Sequence, residues 1–269
     1  MEAIMALNST INDFVWGPPM LVLLVGTGIY LTLRQSWPQV NKFSYAIKNT
    51  IGKITEKGEG QGGEVTPFQA LATAMAATVG VGNIAGVATA IAAGGPGAIF
   101  WMWVSAFFGM CTKYSEATLA VYYRDVLPDG TIIGGPMKYI EKGLRAKWLA
   151  AVFALFGGLA SFGIGNMVQA NSVAQAMKSS FGIPPLVSGI IMAIVTAVVV
   201  LGGLKSIVKV TERLVPFMSI FYIIGGVVLI VMNITRIPAA LGLIISSAFT
   251  GTAAVGGFAG STVMIAMNK

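Results

Sequence analysis

Thr78-Val79-Gly80-Val81-Gly82-Asn83-Ile84-Ala85-Gly86 lies in the middle of an apolar run, 67–92, long enough to cross a bilayer. A crossing takes roughly 20 mostly apolar residues in helical form. Each glycine inside a helix costs about 1 kcal/mol relative to alanine. Backbone groups freed at that depth are tolerated only where they line a cavity or meet a partner. The stretch therefore predicts an unwound segment inside a membrane helix; close packing of small residues is the other reading of the same glycines. A second stretch favours the first reading. Thr252-Ala253-Ala254-Val255-Gly256-Gly257-Phe258-Ala259-Gly260 repeats the pattern Thr-x-x-Val-Gly-x-x-Ala-Gly. An odd number of crossings separates the two, so they run in opposite directions through the bilayer. Interrupted helices at matching places in two inverted halves point to a carrier that binds its cargo near the midplane.

Composition sets the environment. Of 269 residues 55% are hydrophobic and only 10% charged, with a mean hydropathy of +0.80. So few charges cannot cover a water-exposed surface, where about 25% is usual. An all-α integral membrane protein is expected, with apolar runs at 14–33, 67–92, 98–122, 148–170, 186–204, 214–233 and 239–267 giving about seven transmembrane helices. The first run has no basic leader or nearby small-residue cleavage site, and reads as an anchor. With no His and a single Cys, Cys111, the chain can build neither a His-Cys zinc site nor a Ser-His or Cys-His pair. An enzyme is not expected, and neither is a cofactor.

Orientation follows from the basic residues. Segments 34–66, 123–147 and 205–213 fall on one side and hold thirteen of the 17 Lys and Arg, against Lys178 and Arg236 in the loops on the other side. That asymmetry places the N-terminus outside and the basic loops in the cytoplasm, as in a multi-pass protein of the inner, cytoplasmic membrane. It suits a membrane face better than nucleic acid. In the first of these loops Val40, Phe43, Ile47, Ile51 and Ile54 recur at helical spacing, which predicts an amphipathic helix on the membrane surface. Gly-rich 56–64 reads as a linker. Trp101 and Trp103 read as interfacial anchors.

A broken helix offers N–H groups at one new end, suited to a carboxylate, and carbonyls at the other, suited with Thr or Asn oxygens to a hard cation. Thr78 and Asn83 are candidate side-chain ligands, and Gly80 and Gly82 let the main chain approach a ligand. In the fourth run Asn166 and Gln169 lie three apart and thus share a helical face. Their amides either bond between helices or recognise polar groups of the cargo. Gln169 is the first choice for a substrate contact and Asn166 the second. Lys113 and Glu116, in the cytoplasmic third of the third run, are expected to pair. No other carboxylate falls within an expected span. A proton-driven carrier usually needs an ionisable group at depth, which favours Na⁺.

The run Gly94-Gly95-Pro96-Gly97-Ala98-Ile99-Phe100-Trp101-Met102-Trp103-Val104-Ser105-Ala106-Phe107-Phe108-Gly109-Met110-Cys111-Thr112-Lys113-Tyr114-Ser115-Glu116 closely resembles the signature of the alanine or glycine:cation symporter family, also called sodium:alanine symporters. Gly82-Asn83-Ile84-Ala85-Gly86, Gly134-Gly135-Pro136-Met137, Gly165-Asn166-Met167-Val168-Gln169 and Gly256-Gly257-Phe258-Ala259-Gly260 extend the likeness over essentially the whole chain. The resemblance implies a LeuT-type fold, in which an extra first helix precedes two inverted repeats of five helices. It divides the chain into 1–66, an N-terminal helix with an amphipathic loop; 67–233, the first repeat; and 234–269, the opening of a second. It implies Na⁺-driven uptake of small neutral amino acids such as alanine and glycine. Binding would occur around Thr78, Gly80, Gly82 and Asn83 and around Thr252, Gly256 and Gly257, with Gln169 and Asn166 nearby and Na⁺ on Thr78 and Asn83. Family members run well past the second interrupted helix, so the sequence reads as truncated, with further Na⁺ ligands beyond its end and no transport by this portion alone. A passive channel and a non-transporting membrane scaffold are the alternatives from other functional classes.

Overall fold

A computed structural model describes residues 11, 14, 15, 18–50, 66–128 and 130–250. They are predominantly helical and fall into two compact units: Met1–Ala46, Gly82–Glu116 and Val228–Lys269 in one, Ile47–Val81 and Ala117–Val227 in the other.

In the first unit, helix α1 is Pro18–Arg34, and the short α2, Pro38–Asn41, follows two left-handed residues, Ser36 and Trp37. α3, Phe43–Thr50, and α6, Ala98–Tyr122, begin here and end in the second unit, α5 is Ala85–Gly94, and α4, Pro67–Thr78, belongs to the second unit. α1 and α6 meet closely at Gly28, where a Cβ would stand 3.0 Å from the Phe108 carbonyl oxygen. Polar side chains lock the pair: Gln35 Nε2 donates to Ser115 Oγ at 2.6 Å, and Gln39 Nε2 to the fully buried Thr32 Oγ1 at 2.7 Å. Gly95, at φ 72°, makes the turn into α6. The start of α6 packs on the end of α12, Ile237–Ser247, so tightly that a Cβ at Gly97 would overlap the Ser247 carbonyl. Trp101 Nε1 donates to the Ala248 oxygen at 2.5 Å, and its ring meets Phe249 edge-on. Trp101 thus packs against the end of α12, whereas Trp103 is exposed. In α2 and α3, Val40, Phe43 and Ile47 are exposed, as are the residues between them; Ile51 and Ile54 lie outside the described residues.

In the second unit, α4 is Pro67–Thr78. Thr66 and Gln69 form a reciprocal capping box at its start, and Pro67 takes the position where a missing N–H costs nothing. A two-stranded antiparallel hairpin, β1 Asp125–Val126 with β2 Ile132–Ile133, precedes α7, Pro136–Gly143. Segment 123–147, read as a basic loop, is thus a small folded module. α8, Lys147–Ala160, runs through a π-helical segment, Ser161–Met167, into α9, Val168–Phe181. The expected span 148–170 is one continuous helical run of 35 residues, Lys147–Phe181. Gly182, at φ 69°, closes it before α10, Pro185–Leu201. α11, Gly203–Met232, is 30 residues long, contains Pro216, and continues past Val227 into the first unit. The expected basic loop 205–213 is therefore helix. Its Val, Ile, Lys, Glu and Arg residues all tolerate helix, and nothing breaks the chain between Gly203 and the apolar stretch that follows.

Of the seventh expected run, 239–267, only the start is described, as the end of helix α12. Among the described residues, Lys147–Phe181 and Gly203–Met232 are each long and apolar enough to cross a membrane. Phe68–Thr78 and Val81–Gly94, bent by 62° at a short break, have together the length and apolar character of a third, as one broken span or a re-entrant loop. Val22–Arg34, Pro185–Leu201 and Ile234–Ser247 are apolar but shorter.

Candidate functional site

The helix that begins at Thr66 stops where the sequence says it should. Val79 is extended (φ −92°, ψ 101°) and returns its N–H to the Met75 oxygen at 2.7 Å. A single 3₁₀ turn, Val81–Asn83, follows, and α5 starts after Ile84, which has no side chain able to cap it. Neither Gly80 nor Gly82 takes a left-handed backbone, so these glycines supply room rather than an unusual angle. At Gly80 the room is used. A Cβ there would stand 3.3 Å from Gln169 Nε2 and 3.5 Å from Gln169 Oε1. The neighbouring Val81 N–H, released from the helical ladder, donates to Gln169 Oε1 at 3.1 Å. At Gly82 a Cβ would meet nothing within 4 Å, so that side of the break is open.

Gln169 and the break are thus brought together, but the amide acts first as a partner for freed backbone. Its position owes something to the π segment just before it, which sequence reasoning missed. The signal was present as Gly157, Gly158, Gly163 and Gly165, at each of which an added Cβ would meet nothing within 4 Å; π turns recur at functional sites. The wider turn also ends the simple helical phase between Asn166 and Gln169. Asn166 Nδ2 donates to the Ser161 oxygen of its own π turn at 3.2 Å, so the second-choice substrate residue is engaged locally. Thr78 Oγ1 donates to the Ala74 oxygen at 2.8 Å, which commits its hydrogen and leaves its lone pairs as the outward chemistry. Asn83 is exposed in the 3₁₀ turn. Thr252, Gly256 and Gly257 lie outside the described residues.

The far end of α4 is held by α11. Gln69 Nε2 donates to Glu212 Oε2 at 2.6 Å, while Gln69 Oε1 accepts the Thr66 N–H at 3.0 Å. One turn on, Thr73 Oγ1 lies 3.3 Å from Thr211 Oγ1. Glu212 lies within helix α11, in a stretch that reads from sequence as a basic loop. The Lys113–Glu116 pair does form, at 3.0 Å, on an exposed face. In the hairpin module Asp125 receives the ammonium groups of Lys142 and Lys138, the latter at 3.1 Å, and Lys138 also reaches Glu141 at 3.3 Å. Hydrogen bonds from Lys142 and then Lys138 hold the Asp125 carboxyl below its ordinary range, and the Asp125 and Glu141 carboxylates raise Lys138 above its own.

The model of the sodium:alanine symporter family matches residues 1–269. The sodium/alanine symporter AgcS of Methanococcus maripaludis is 55% identical over 263 residues, covering 96% of this chain and 58% of that protein. A putative sodium/proton-dependent alanine carrier, YrbD of Bacillus subtilis, is 41% identical over 95% of this chain and 51% of its own length. A probable sodium/glutamine symporter, GlnT of the same organism, is 40% identical over 94% and 52%. The chain spans little more than half the length of these relatives. A match to the family model over every residue, joined to apolar helices of membrane-crossing length, places the chain in the sodium:alanine symporter family, a family of membrane carriers and not of enzymes.

Proposed function

We propose that this chain forms the cargo-binding half of an Na⁺-coupled symporter that takes up small neutral amino acids across the cytoplasmic membrane. The observation that carries the reading is the break after Thr78, with Gln169 seated against Gly80 and bonded to the Val81 N–H. Interrupted membrane helices are kept where their freed groups have work to do. In this reading the substrate carboxylate lies at the uncapped start of α5, where helix N–H groups favour an anion. Na⁺, as co-transported cargo, takes oxygens from the end of α4, the lone pairs of Thr78 and the amide of Asn83. Gln169 holds the break in shape, and Gly82 leaves the space into which the amino acid fits. Thr252, Gly256 and Gly257 belong to the matching break of a second, inverted repeat. The LeuT-type arrangement, seven crossings with the N-terminus outside, and the division into 1–66, 67–233 and 234–269 are parts of the same proposal. The activity is assigned to a carrier of the relatives' length.

Na⁺ is the coupling ion in this reading, as the names of the relatives favour. Glu212 gives a proton a second place to act, and YrbD is named for both ions. Proteoliposomes containing the carrier should accumulate labelled alanine or glycine when a Na⁺ gradient is imposed and fail to do so with a proton gradient alone. Uptake indifferent to Na⁺ contradicts the proposal, and steady currents that do not saturate with amino acid indicate a channel instead.

A further inference from the structure

α11 has two faces of different character near its cytoplasmic end. Val208, Thr211, Glu212 and Val215 turn inward; Val208 and Val215 are buried, and Glu212 reaches Gln69. On the outward face Lys205, Lys209, Arg213, Phe217 and Phe221 recur every four residues, a single stripe along the helix. Lys209, Arg213 and Phe217, with Val210 and Leu214, line an open cleft of about 450 Å³. The rings of Phe217 and Phe221 stack with centroids 6.4 Å apart, and both are exposed. Among the described residues neither Lys209 nor Arg213 forms an ion pair, because the one carboxylate between them in sequence is turned to the other face.

From this stripe we infer a binding site for one anionic phospholipid of the cytoplasmic leaflet. Two uncompensated cations sit together where the apolar helix begins, the depth at which a phosphate headgroup lies. The twelve helical rises from Lys209 to Phe221 extend about 18 Å along a helix axis, close to the hydrocarbon depth of one leaflet, about 15 Å. A headgroup seated on Lys209 and Arg213 therefore leaves its acyl chain running over Leu214, Phe217 and Phe221. Charge and length together select a lipid over a soluble anion, which would use only the cations. The site does not depend on the transport reading; it rests on α11 crossing the membrane with its N-terminal end on the cytoplasmic side, the orientation proposed above.

The test is competition for a fluorescent phosphatidylglycerol bound to the purified protein in a neutral detergent, using phosphatidylglycerol, phosphatidylcholine and glycerol phosphate as competitors. The site predicts displacement by phosphatidylglycerol alone. In K209Q/R213Q, loss of two charges near the surface should weaken binding about thirtyfold, and R213K should retain it. F217A should weaken phosphatidylglycerol binding with the cations intact. Equal displacement by phosphatidylcholine or by glycerol phosphate overturns the site, as does unchanged binding in K209Q/R213Q. Because the competitor comparison uses the unaltered protein, it decides the matter even if the double variant does not fold. Disulfide crosslinking between two copies carrying F217C, at a yield unaffected by phosphatidylglycerol, would assign the face to self-association and overturn it as well.

Discussion

Gln169 serves the backbone at the break, and the proposed function asks it to stand beside the cargo as well. Its oxygen satisfies the Val81 N–H that the break releases, and a donor left unpaired costs about 1–3 kcal/mol. Gln169→Ala should therefore weaken apparent alanine affinity by about five- to a hundredfold, measured as the concentration for half-maximal uptake; unchanged affinity removes Gln169 from the site. Gly80→Ala should act in the same direction, because its new methyl group would press on the Gln169 amide at 3.3 Å. Gly82→Ala meets no protein atom, so any loss of uptake there with folding intact reports on space reserved for cargo. Thr78→Ala should raise the Na⁺ concentration for half-maximal uptake while Thr78→Ser preserves it, since Thr and Ser both carry the hydroxyl oxygen. The choice of Gln169 was legible from sequence because an amide in an apolar helix must find a partner. That its partner is backbone was not, since nothing in the local sequence places α9 beside the break.

At the scale of elements, α4 is held at both ends, by Gln169 where it breaks and by Glu212 and Thr211 where it begins. Glu212→Gln keeps an oxygen for the Gln69 amide and should leave transport close to normal, whereas Glu212→Ala removes the acceptor and should slow it. A comparison of maximal rate and half-saturation across the two variants checks this, and equal loss in both would mean that charge, rather than the hydrogen bond, is what matters. Sequence periodicity marked the break itself, because Gly, Gly and Asn interrupt a span that has no other reason to hold them. It misplaced Glu212, because a cluster of Lys and Arg looks like a loop whether or not the helix continues through it. It missed the π segment, because a widened turn differs from an α turn only in hydrogen-bond register, for which glycine richness is a weak sign.

The hairpin and α7 make a pH-dependent clasp. Asp125 is held below its ordinary pKa of 3.8, so its contribution is fully present above that value and is lost as pH falls through the lower, folded value. Lys138 is raised above 10.5, so its share is present below that value and lost as pH rises through the higher one. Hydrogen exchange at the hairpin, where the Leu127 N–H donates to the Thr131 oxygen at 2.9 Å, should be slowed across the neutral range beyond what Asp125→Asn shows. The difference between the two proteins should shrink in acid below pH 3.8. A constant difference at all pH values would mean that the ammonium–carboxylate contacts do not hold the hairpin.

For the molecule as a whole, membrane residence was readable from composition alone, since 10% charged residues cannot coat a soluble protein. The central claim is narrower: that the interrupted segment after Thr78 closes on an amino acid together with Na⁺. Hydrogen exchange of the amides in 79–86, followed in the membrane-embedded carrier with and without alanine and Na⁺, tests it most directly. Slower exchange in this segment when alanine and Na⁺ are present together, and little change with K⁺ in place of Na⁺, is the predicted result. Exchange that is the same in all conditions, in a carrier shown to bind alanine, would contradict it.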